Sequence, residues 1–473
     1  MSTFDIKFGT DGWRGLLDSE VNSKSVATVA QAFADYLLSN IHHLISPRVV
    51  IGYDGRKNSD VFAKLFARVL SGNNIKVYLS NSVVPTPVVS YYIKENHLDA
   101  GVMITASHNP PEYSGIKFKG SYGGPFLSEV TNEVEKFLNQ NLVQTDDHFQ
   151  TLSLLDDYYR DLESRIDFRG IKKKKIQVLI DSMGGAGGKI LENLLFANGI
   201  YSKTIFGEPD NQFYGRYPEP IAKNLRPLTE EIKTGDYSFG IATDGDADRV
   251  AFVLEDCEWL SAQETILILS EYLSGRDEYK GNIVKTSSVS DKLRRLENET
   301  TRIIDVQVGF KYICEEMIKG NATIGFEESG GFGIASHIPE RDGILFALIM
   351  MELLADSPYR KLSEYVADFR KRFGLIHYDR IDLHYEKDDR ISLLPELLES
   401  LPGSIGDFKI KSTSEYYTAK GVVNGIKFYL EGDPRWLLVR SSETEPLLRF
   451  YAEGENDQEV KEILDAGVKM LVK

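Results

Sequence analysis

The sequence predicts a multidomain α/β protein with largely parallel sheets, closed by a C-terminal region of different character. The first observation is the length of 473 residues, which exceeds one ordinary core and favours three or four domains. The second is a recurring unit of a short apolar strand, a polar loop and a helical stretch, which is typical of βαβ folds. The third is a set of β-like runs near the C-terminus that ends in a helical pattern.

Five short apolar strands carry the recurring unit through the first two thirds of the chain. We predict them within residues 49–54, 101–108, 176–185, 239–248 and 322–331. A polar loop follows each strand, and in open α/β sheets the loops after the carboxyl ends of the strands carry the ligand site. Functional residues are therefore expected in these loops.

The last hundred residues lack this alternation. The runs IKFYLE, WLLVRSS and LLRFYAE predict strands, and DQEVKEILDAGVKMLVK predicts a closing helix. We place the four domains at residues 1–155, 156–257, 258–372 and 373–473. The longest apolar run, Ile344–Leu354, contains Glu352 and is far shorter than the ~20 residues of a membrane span, so we predict a core helix.

Charge and cysteine content exclude several classes of function. The net charge of −16 disfavours a nucleic-acid or anionic-membrane partner, and Lys172–Lys175 is interpreted as a solvated lead-in to a strand. Cys257 and Cys314 form neither a disulfide framework nor a CxxC motif. The opening residues lack the apolar segment of a signal peptide. We therefore expect a cytoplasmic protein.

The loop Thr105–Pro110, with the sequence TASHNP, supplies a candidate nucleophile. Ser107, His108 and Asn109 combine a hydroxyl, a proton acceptor and an orienting amide. Lys117 follows in the next strand-like segment and can neutralise a phosphate. The spacing is not the GxSxG of a lipase-type elbow. A turn with hydrogen-bonding side chains explains the same residues without catalysis, so the loop alone leaves both interpretations open.

Three carboxylates at alternate positions, Asp244, Asp246 and Asp248, lie between two apolar runs and predict a metal site. Like charges this close repel unless a cation lies between them, and all-oxygen ligation suits Mg²⁺. An EF-hand is disfavoured because its sixth position requires glycine and holds Arg249 here. A solvated acidic turn is the alternative. Arg249 itself suits a transferring phosphoryl group, since its planar donors match phosphate oxygens.

Two further loops offer groups for a phosphorylated sugar. Glu327 and Ser329 follow a strand and can hydrogen-bond to sugar hydroxyls, although an exposed acidic turn explains them equally well. Arg440 begins the segment RSSETEP and, with Arg449, can hold a phosphate that is not transferred.

Glycine-rich turns elsewhere are further candidates for phosphate sites. The turn FGTDGWRG presents Arg14, and a second arginine, Arg56, lies in the turn Asp-Gly-Arg. The loop MGGAGG at 183–188 has no Lys-Ser/Thr ending and lacks the spacing of a dinucleotide fingerprint. We interpret it as a tight turn between a strand and a helix.

Taken in order, FGTDGWRG, TASHNP, DGDADR, EESGG and RSSETEP resemble the motifs of the α-D-phosphohexomutase superfamily, from residue 8 to about residue 453. Phosphoglucomutase, phosphomannomutase and phosphoglucosamine mutase are members. The resemblance implies a four-domain, heart-shaped protein. Three related α/β domains with mixed, largely parallel sheets would precede a C-terminal α+β domain similar to the TATA-box-binding-protein fold. Each domain is expected to give one loop to a central cleft.

The resemblance also implies a role for each matched residue. Ser107 is expected to be the phosphoserine, whose phosphate joins Asp244, Asp246 and Asp248 around one Mg²⁺ per chain. The charged groups expected around the reacting phosphoryl are Arg14, His108, Lys117 and Arg249. The residues expected to bind substrate are Glu327, Ser329, Lys311, Arg440, Ser442, Thr444 and Arg449.

The reaction so implied interconverts hexose 1-phosphate and hexose 6-phosphate through a hexose 1,6-bisphosphate, which also serves as activator. Glucose is favoured over mannose, because Val308–Tyr312 resembles the VGFKY stretch of phosphoglucomutases and EESGG looks glucose-like. Glu443 and Phe326 depart from the family pattern, and Glu443 leaves the geometry at the distal phosphate open. A phosphatase and an inactive sugar-phosphate-binding protein are the less favoured alternatives. We expect a monomer or homodimer.

Overall fold

The computed structural model of the chain describes residues 6–9, 12–41, 46–385, 388–418, 421–442 and 446–471. Within these ranges the strands form four sheets, one after another along the chain. The first three sheets combine parallel strands with antiparallel strands at one edge, and the fourth is antiparallel throughout. The domain boundaries that we placed from the sequence stay predictions.

The first sheet contains six strands. They are β1 Trp13–Leu16, β2 Arg48–Tyr53, β3 Lys76–Ser80, β4 Ala100–Ile104, β5 Tyr113–Gly120 and β6 Gln150–Leu152. The order is β1-β5-β4-β2-β3-β6, in which β2, β3, β4 and β6 are parallel. Its helices are α1 Ser23–Asn40, α2 Ser59–Gly72, α3 Thr86–Glu95 and α4 Ser128–Lys136. Asn22 caps α1 by accepting from the N–H groups of Lys24 and Ser25.

The second sheet has the strands β7 Val178–Asp181, β8 Ser202–Ile205, β9 Phe239–Thr243, β10 Val250–Leu254 and β11 Trp259–Leu260. The order is β11-β10-β9-β7-β8, with β8, β7 and β9 parallel. The surrounding helices are α5 Leu155–Arg165, α6 Phe168–Lys174, α7 Ile190–Ala197 and α8 Arg226–Glu231. The glycine-rich segment 183–188 connects β7 to α7, the tight turn that we predicted.

The third sheet has the strands β12 Ile283–Thr286, β13 Ile303–Val306, β14 Ile324–Glu327 and β15 Gly331–Ile334. The order is β13-β12-β14-β15, and only β15 is antiparallel to its neighbour. The helices are α9 Ala262–Ser274, α10 Phe310–Ile318, α11 Gly343–Asp356 and α12 Leu362–Phe373. The predicted core helix over 344–354 is confirmed as α11, which is buried over nearly its whole length.

The fourth sheet has the strands β16 His377–His384, β17 Ser404–Ile405, β18 Phe408–Tyr417, β19 Val423–Leu430, β20 Trp436–Ser441 and β21 Leu447–Gly454. The order is β16-β21-β20-β19-β18-β17, with the helices α13 Leu393–Glu399 and α14 Asp457–Leu471. The three predicted C-terminal strands are confirmed as β19, β20 and β21, and the closing helix as α14.

The loops with polar motifs hold the same position in all four sheets. Each joins two neighbouring antiparallel strands, namely β4 to β5, β9 to β10, β14 to β15 and β20 to β21. The recurring pattern suggested loops that lead from a strand into a helix, although the apolar run VAFVL after the aspartates is itself β-like. The segments after the first two loops, IKFKG and VAFVL, are short and contain β-forming residues, so they pair back onto the sheet instead. The segment GFGI after the third loop pairs back in the same way.

The largest apolar core joins the first three sheets, and the fourth sheet has a core of its own. One continuous cluster of buried side chains links the first three sheets, as its members Val50, Val178 and Ile283 illustrate. The fourth sheet packs on α14 through a separate cluster that includes Ile426 and Ile463. Among the described residues, no helix has the length and apolar character needed to cross a bilayer.

Candidate active site

The nucleophile loop, residues 105–112, joins β4 to β5 and carries Ser107. Ser107 is buried and has a φ of 51°, a left-handed conformation that residues with side chains rarely adopt. Its N–H donates to Thr105 Oγ1 at 2.8 Å, and its hydroxyl donates to Asp244 Oδ2 at 2.9 Å. The loop therefore directs the Ser107 hydroxyl to a carboxylate 137 positions away in the sequence.

The aspartate loop, residues 244–249, joins β9 to β10 and faces the nucleophile loop. Asp244, Asp246 and Asp248 are fully buried, and one oxygen from each lies within 4.8 Å of the others. Between them, Gly245 approaches the nucleophile loop so closely that a Cβ there would lie 2.3 Å from the Ser107 carbonyl oxygen. The alternate acidic positions thus converge beside Ser107, and the intervening glycine permits this approach.

Three cationic side chains surround the aspartates. Lys117, on β5, donates from Nζ to Asp246 at 2.7 Å and to Asp248 at 2.8 Å. Arg341 lies 2.7 Å from Asp248, and Arg249 Nε lies 3.9 Å from the same carboxylate. Because the carboxylates, Lys117 and Arg341 are buried and the Arg249 side chain is only 11% exposed, their charges interact strongly.

The surroundings of the aspartates shift their pKa values in different directions. Burial and the charges of Asp248 and Asp246 raise the pKa of Asp244 well above its usual range. Burial acts in the same direction on Asp246, but Lys117 and the Thr86 hydroxyl outweigh it and lower the pKa of Asp246. The neighbouring carboxylates thus disfavour the charged form of Asp244, an effect that an additional cation would relieve.

The donor set fits a hard divalent ion. The Oδ1 atoms of Asp246 and Asp248 are buried and have no hydrogen-bond partner within the described ranges. Carboxylate oxygens without other partners are suitable ligands for Mg²⁺, and a hydroxyl or phosphate at Ser107 would add another oxygen. The group consists of the three aspartates, so every protein ligand that it offers is a carboxylate oxygen.

His108 and Arg14 complete the surroundings of Ser107. His108 Nδ1 lies 3.4 Å from Ser107 Oγ. Burial, followed by the charges of Arg249 and Arg14, lowers the pKa of His108 well below its usual value, so its ring is neutral at neutral pH. Arg14 donates from Nη1 to Asn109 Oδ1 at 2.8 Å. The structure therefore places Arg14, His108 and Arg249 around Ser107, with Lys117 on the adjacent carboxylates.

The sugar loop, residues 327–331, joins β14 to β15 and adjoins the aspartate loop. Arg249 forms an isolated antiparallel bridge with Gly331, and Arg341 connects Asp248 to Glu327, whose Oε2 lies 3.3 Å from Arg341 Nη1. Ser329 Oγ is buried and has no partner among the residues that the structure describes. Glu327 and Ser329 thus lie next to the proposed metal ligands, as a substrate contact requires.

The strands β20 and β21 carry the two arginines that we predicted as phosphate ligands. Arg440 and Arg449 are direct register partners on these two strands. Arg390 donates to Ser441 Oγ at 3.2 Å and also to the Ser442 carbonyl oxygen. Thr444 and Glu443, which the sequence interpretation also involved, lie outside the described residues.

Contacts continue from the sugar loop to the fourth sheet. Glu328 Oε1 lies 3.4 Å from Arg380 on β16, and Arg380 pairs with Asp382 at 3.1 Å. Asp382 in turn lies 3.6 Å from Arg449. The site therefore extends without interruption from Ser107 to the arginines of the fourth sheet.

Lys311 occupies a different position from the other predicted substrate ligands. It is largely buried at the start of α10, with its Nζ 4.9 Å from the centre of the Tyr312 ring. It lines a crevice with Gln307 and Tyr417, between the third and fourth sheets. The geometry therefore places Lys311 at this domain boundary, and its role in binding substrate stays a prediction.

Three further residues contribute to the site and were not predicted from the sequence, namely Thr86, Arg341 and Arg390. The hydroxyl of Thr86 donates to Asp246 Oδ2 at 2.5 Å. Thr86 lies in the segment Pro-Thr-Pro after a strand, and this position could have indicated a functional residue. Arg341 and Arg390 do not lie in a polar loop directly after an apolar strand. No local pattern therefore distinguished them from other arginines in the sequence. The sequence suggested Arg56 as a cation for phosphate, but its guanidinium contacts the carbonyls of the nucleophile loop instead.

Comparison with protein families covers nearly the whole chain. Four domain profiles match in order, all described as phosphoglucomutase/phosphomannomutase: alpha/beta/alpha domains I, II and III at residues 5–144, 156–257 and 261–373, and the C-terminal domain at 397–469. The four-domain fold that the resemblance implied is thereby confirmed.

Individual relatives agree with these profiles. A phosphoglucomutase/phosphomannomutase of Thermococcus kodakarensis is 28% identical over 98% of both chains. A phosphoglucosamine/phosphogalactosamine mutase of Sulfurisphaera tokodaii is 30% identical over 95% of both. A crystal structure from Thermus thermophilus, provisionally named a phosphomannomutase, superposes with a TM-score of 0.85 at 32% identity and complete coverage of both chains. The protein therefore belongs to the phosphoglucomutase/phosphomannomutase family of the α-D-phosphohexomutase superfamily.

Proposed function

We propose that the protein is a Mg²⁺-dependent phosphohexomutase that uses Ser107 as its phosphoryl carrier. The observation that carries this proposal is the contact between the Ser107 hydroxyl and Asp244, at 2.9 Å, beside two further buried aspartates. A nucleophile, an oxygen-only metal site and cations for the equatorial oxygens are the parts that phosphoryl transfer requires.

The residues divide the chemistry among themselves. Mg²⁺, held by Asp244, Asp246 and Asp248, would supply charge neutralisation at the seryl phosphate. A sugar hydroxyl attacks the phosphorus while the bond to Ser107 Oγ breaks, and the proton of that hydroxyl passes to a base. Two side chains are candidates for the base, His108 and Lys117. Both lie within the group around Ser107.

The remainder of the site serves the opposite end of the substrate. The transfer yields a hexose 1,6-bisphosphate, which must turn over so that its other phosphate can return to Ser107. Arg440 and Arg449 lie opposite each other on the neighbouring strands β20 and β21. They would hold the phosphate that is distant from Ser107. Added hexose 1,6-bisphosphate would act as activator by phosphorylating any enzyme that has lost its phosphate.

We infer glucose as the preferred hexose, with mannose second. Both sugar-loop carboxylates already have cationic partners, Glu327 with Arg341 and Glu328 with Arg380. A neutral hydroxyl at C2 therefore suits the loop better than an ammonium group. Glucosamine 1-phosphate is the third candidate, because several relatives of 28–30% identity bear the name phosphoglucosamine mutase.

A mutase assay with three substrates tests this proposal. Glucose, mannose and glucosamine 1-phosphates should be compared at equal concentration, with Mg²⁺ or a chelator, and with or without glucose 1,6-bisphosphate. The proposal predicts formation of the 6-phosphate, highest for glucose and absent under chelation. Release of inorganic phosphate without isomer would indicate a phosphatase, and ligand-induced thermal stabilisation without turnover would indicate an inactive binding protein.

A further inference from the structure

Arg56 uses all its side-chain donors on the nucleophile loop, the first residue of β5 and one supporting carboxylate. Nη2 donates to the carbonyl oxygens of Ser107 at 2.6 Å and Asn109 at 2.7 Å. Nη1 donates to the carbonyl oxygens of Pro110 at 2.7 Å and Tyr113 at 3.1 Å. A guanidinium has five N–H donors, and Nε uses the fifth on a neighbouring aspartate.

Arg56 pairs with Asp54, a buried carboxylate that accepts several hydrogen bonds. Asp54 accepts from Arg56 Nε at 3.1 Å and from Ser59 Oγ at 2.7 Å. The Thr105 hydroxyl also hydrogen-bonds to Asp54, and Thr105 Oγ1 accepts from the N–H of Ser107. The same carboxylate therefore fixes both the guanidinium and the residue that leads into Ser107.

The guanidinium is closed off by another domain. Arg56 is only 3% exposed, and its guanidinium carbon lies 4.7 Å from the centre of the Phe213 ring. Phe213, which is fully buried, follows β8 in the part of the chain that also supplies the aspartates. The arrangement thus fixes the nucleophile loop relative to the aspartate loop.

Such restraint is needed because Ser107 lies in the left-handed region, which is unfavourable for residues with side chains. The carbonyls that Arg56 binds all belong to residues 107–113. These bonds therefore restrain the loop and the strand end after it, not the centre of the sheet.

We propose that Arg56 is a positioning residue that holds Ser107 in line with the aspartates during phosphoryl transfer. The proposal rests on the mutase function proposed above. Lysine cannot substitute, because its three donors diverge from one point and cannot reach four carbonyls in a plane. Since Arg56 binds the loop from behind and contacts only protein groups in the bonds described, its replacement should lower kcat and leave KM nearly unchanged.

The chain offers a matched control in Arg216. Its guanidinium also pairs with a buried aspartate, Asp181, at 2.8 Å, and lies over a phenylalanine ring, Phe206, at 4.3 Å. Its contacts are to Asp181 and to the Asn224 carbonyl, away from the nucleophile loop. Arg216→Lys therefore removes a comparable interaction without disturbing Ser107.

The test compares Arg56→Lys, Arg216→Lys and the wild type in kcat, KM, melting temperature and the rate at which Ser107 acquires phosphate from glucose 1,6-bisphosphate. We expect Arg56→Lys to lose about 100-fold in kcat and in the phosphorylation rate, as for a misplaced reacting group, with KM within about threefold. Arg216→Lys should lose similar thermal stability and keep its kcat.

Four outcomes would overturn the inference. Equal kcat in Arg56→Lys and the wild type would show that Ser107 needs no such restraint. Equal losses of kcat in both variants, or an Arg56→Lys protein that does not fold, would assign Arg56 to general stability. A wild type without turnover would refute the proposed function itself, and the positioning role with it.

Discussion

At the scale of single residues, the site depends on conformations that only certain side chains permit. Ser107 has a positive φ, and Gly245 lies where any Cβ would collide with the Ser107 carbonyl oxygen. The glycine between two aspartates is therefore a condition for contact between the loops. With alanine at this position the three aspartates would remain, but the added methyl group would push them away from Ser107.

Gly245→Ala tests this close approach. The added methyl group would have to move the nucleophile or the aspartate loop, so we expect kcat to fall about 10- to 100-fold, measured in the mutase assay. Gly275→Ala is the matched control, because a Cβ there meets its nearest atoms at ordinary contact distances of 3.5 and 3.6 Å. Full activity in Gly245→Ala would contradict the claim that the two loops must touch.

At the scale of elements, the aspartate loop is held by the elements around it. The N–H of Thr86, at the start of α3, donates to the Asp246 carbonyl at 3.0 Å, and its hydroxyl donates to the carboxylate. The N–H of Gly343, at the start of α11, donates to the Ala247 carbonyl at 3.1 Å. The starts of two helices from different domains thus orient the predicted metal ligands.

Thr86→Val removes the hydroxyl and keeps the shape of the side chain. Because the hydroxyl orients Asp246, we expect the Mg²⁺ concentration for half-maximal activity to rise about 10- to 100-fold. The control is Thr131→Val. The hydroxyl of Thr131, on α4, donates to the carbonyl oxygen of Leu127 at 3.3 Å. An unchanged Mg²⁺ requirement in Thr86→Val would show that Asp246 needs no such partner, or that it is not a ligand.

The elements also show how far the sequence alone could predict the structure. Regular alternation of apolar strands and helices indicated the α/β domains, and the apolar run over 344–354 indicated α11, because burial leaves a local pattern. The pairing of β4 with β5 and of β9 with β10 was not predicted, because it depends on which strands become neighbours in the folded sheet. Arg341 and Arg390 were missed for the same reason, as their partners come from distant parts of the chain.

At the scale of the whole molecule, the first three domains meet at a buried histidine. His337 Nδ1 lies 2.8 Å from Asp161 on α5, and Nε2 lies 2.9 Å from Asp342 before α11. The Tyr91 ring, on α3, stacks on the His337 ring with 5.4 Å between the ring centres. The Tyr158 hydroxyl donates to Asp342 at 2.9 Å. One side chain thus connects elements of the three domains that share a continuous core.

This junction predicts a pH dependence of stability. Burial opposes protonation of His337, but the hydrogen bonds and charges of Asp161 and Asp342 outweigh it and raise the pKa of His337 above 6.5. The stabilisation of the folded protein by protonated His337 is therefore fully present below the pKa of the histidine in the unfolded state. It is lost as pH rises through the pKa of His337 in the folded state.

Urea unfolding of the wild type and His337→Gln at about pH 6 and about pH 9 measures this effect. We expect the difference in unfolding free energy between the two proteins to be larger at the lower pH. A control variant, His377→Gln, alters a more exposed pair with Asp457 and should show a smaller change. A difference that is constant, or larger at the higher pH, would contradict a protonated His337.

The central claim is that Ser107 carries the transferred phosphate, and intact mass spectrometry tests it most directly. After incubation with Mg²⁺ and glucose 1,6-bisphosphate, the wild type should gain one phosphate that peptide mapping assigns to Ser107, and glucose 1-phosphate should then remove it. Ser107→Ala should gain none and should lack mutase activity. A phosphate on another residue, or turnover by Ser107→Ala, would contradict the account.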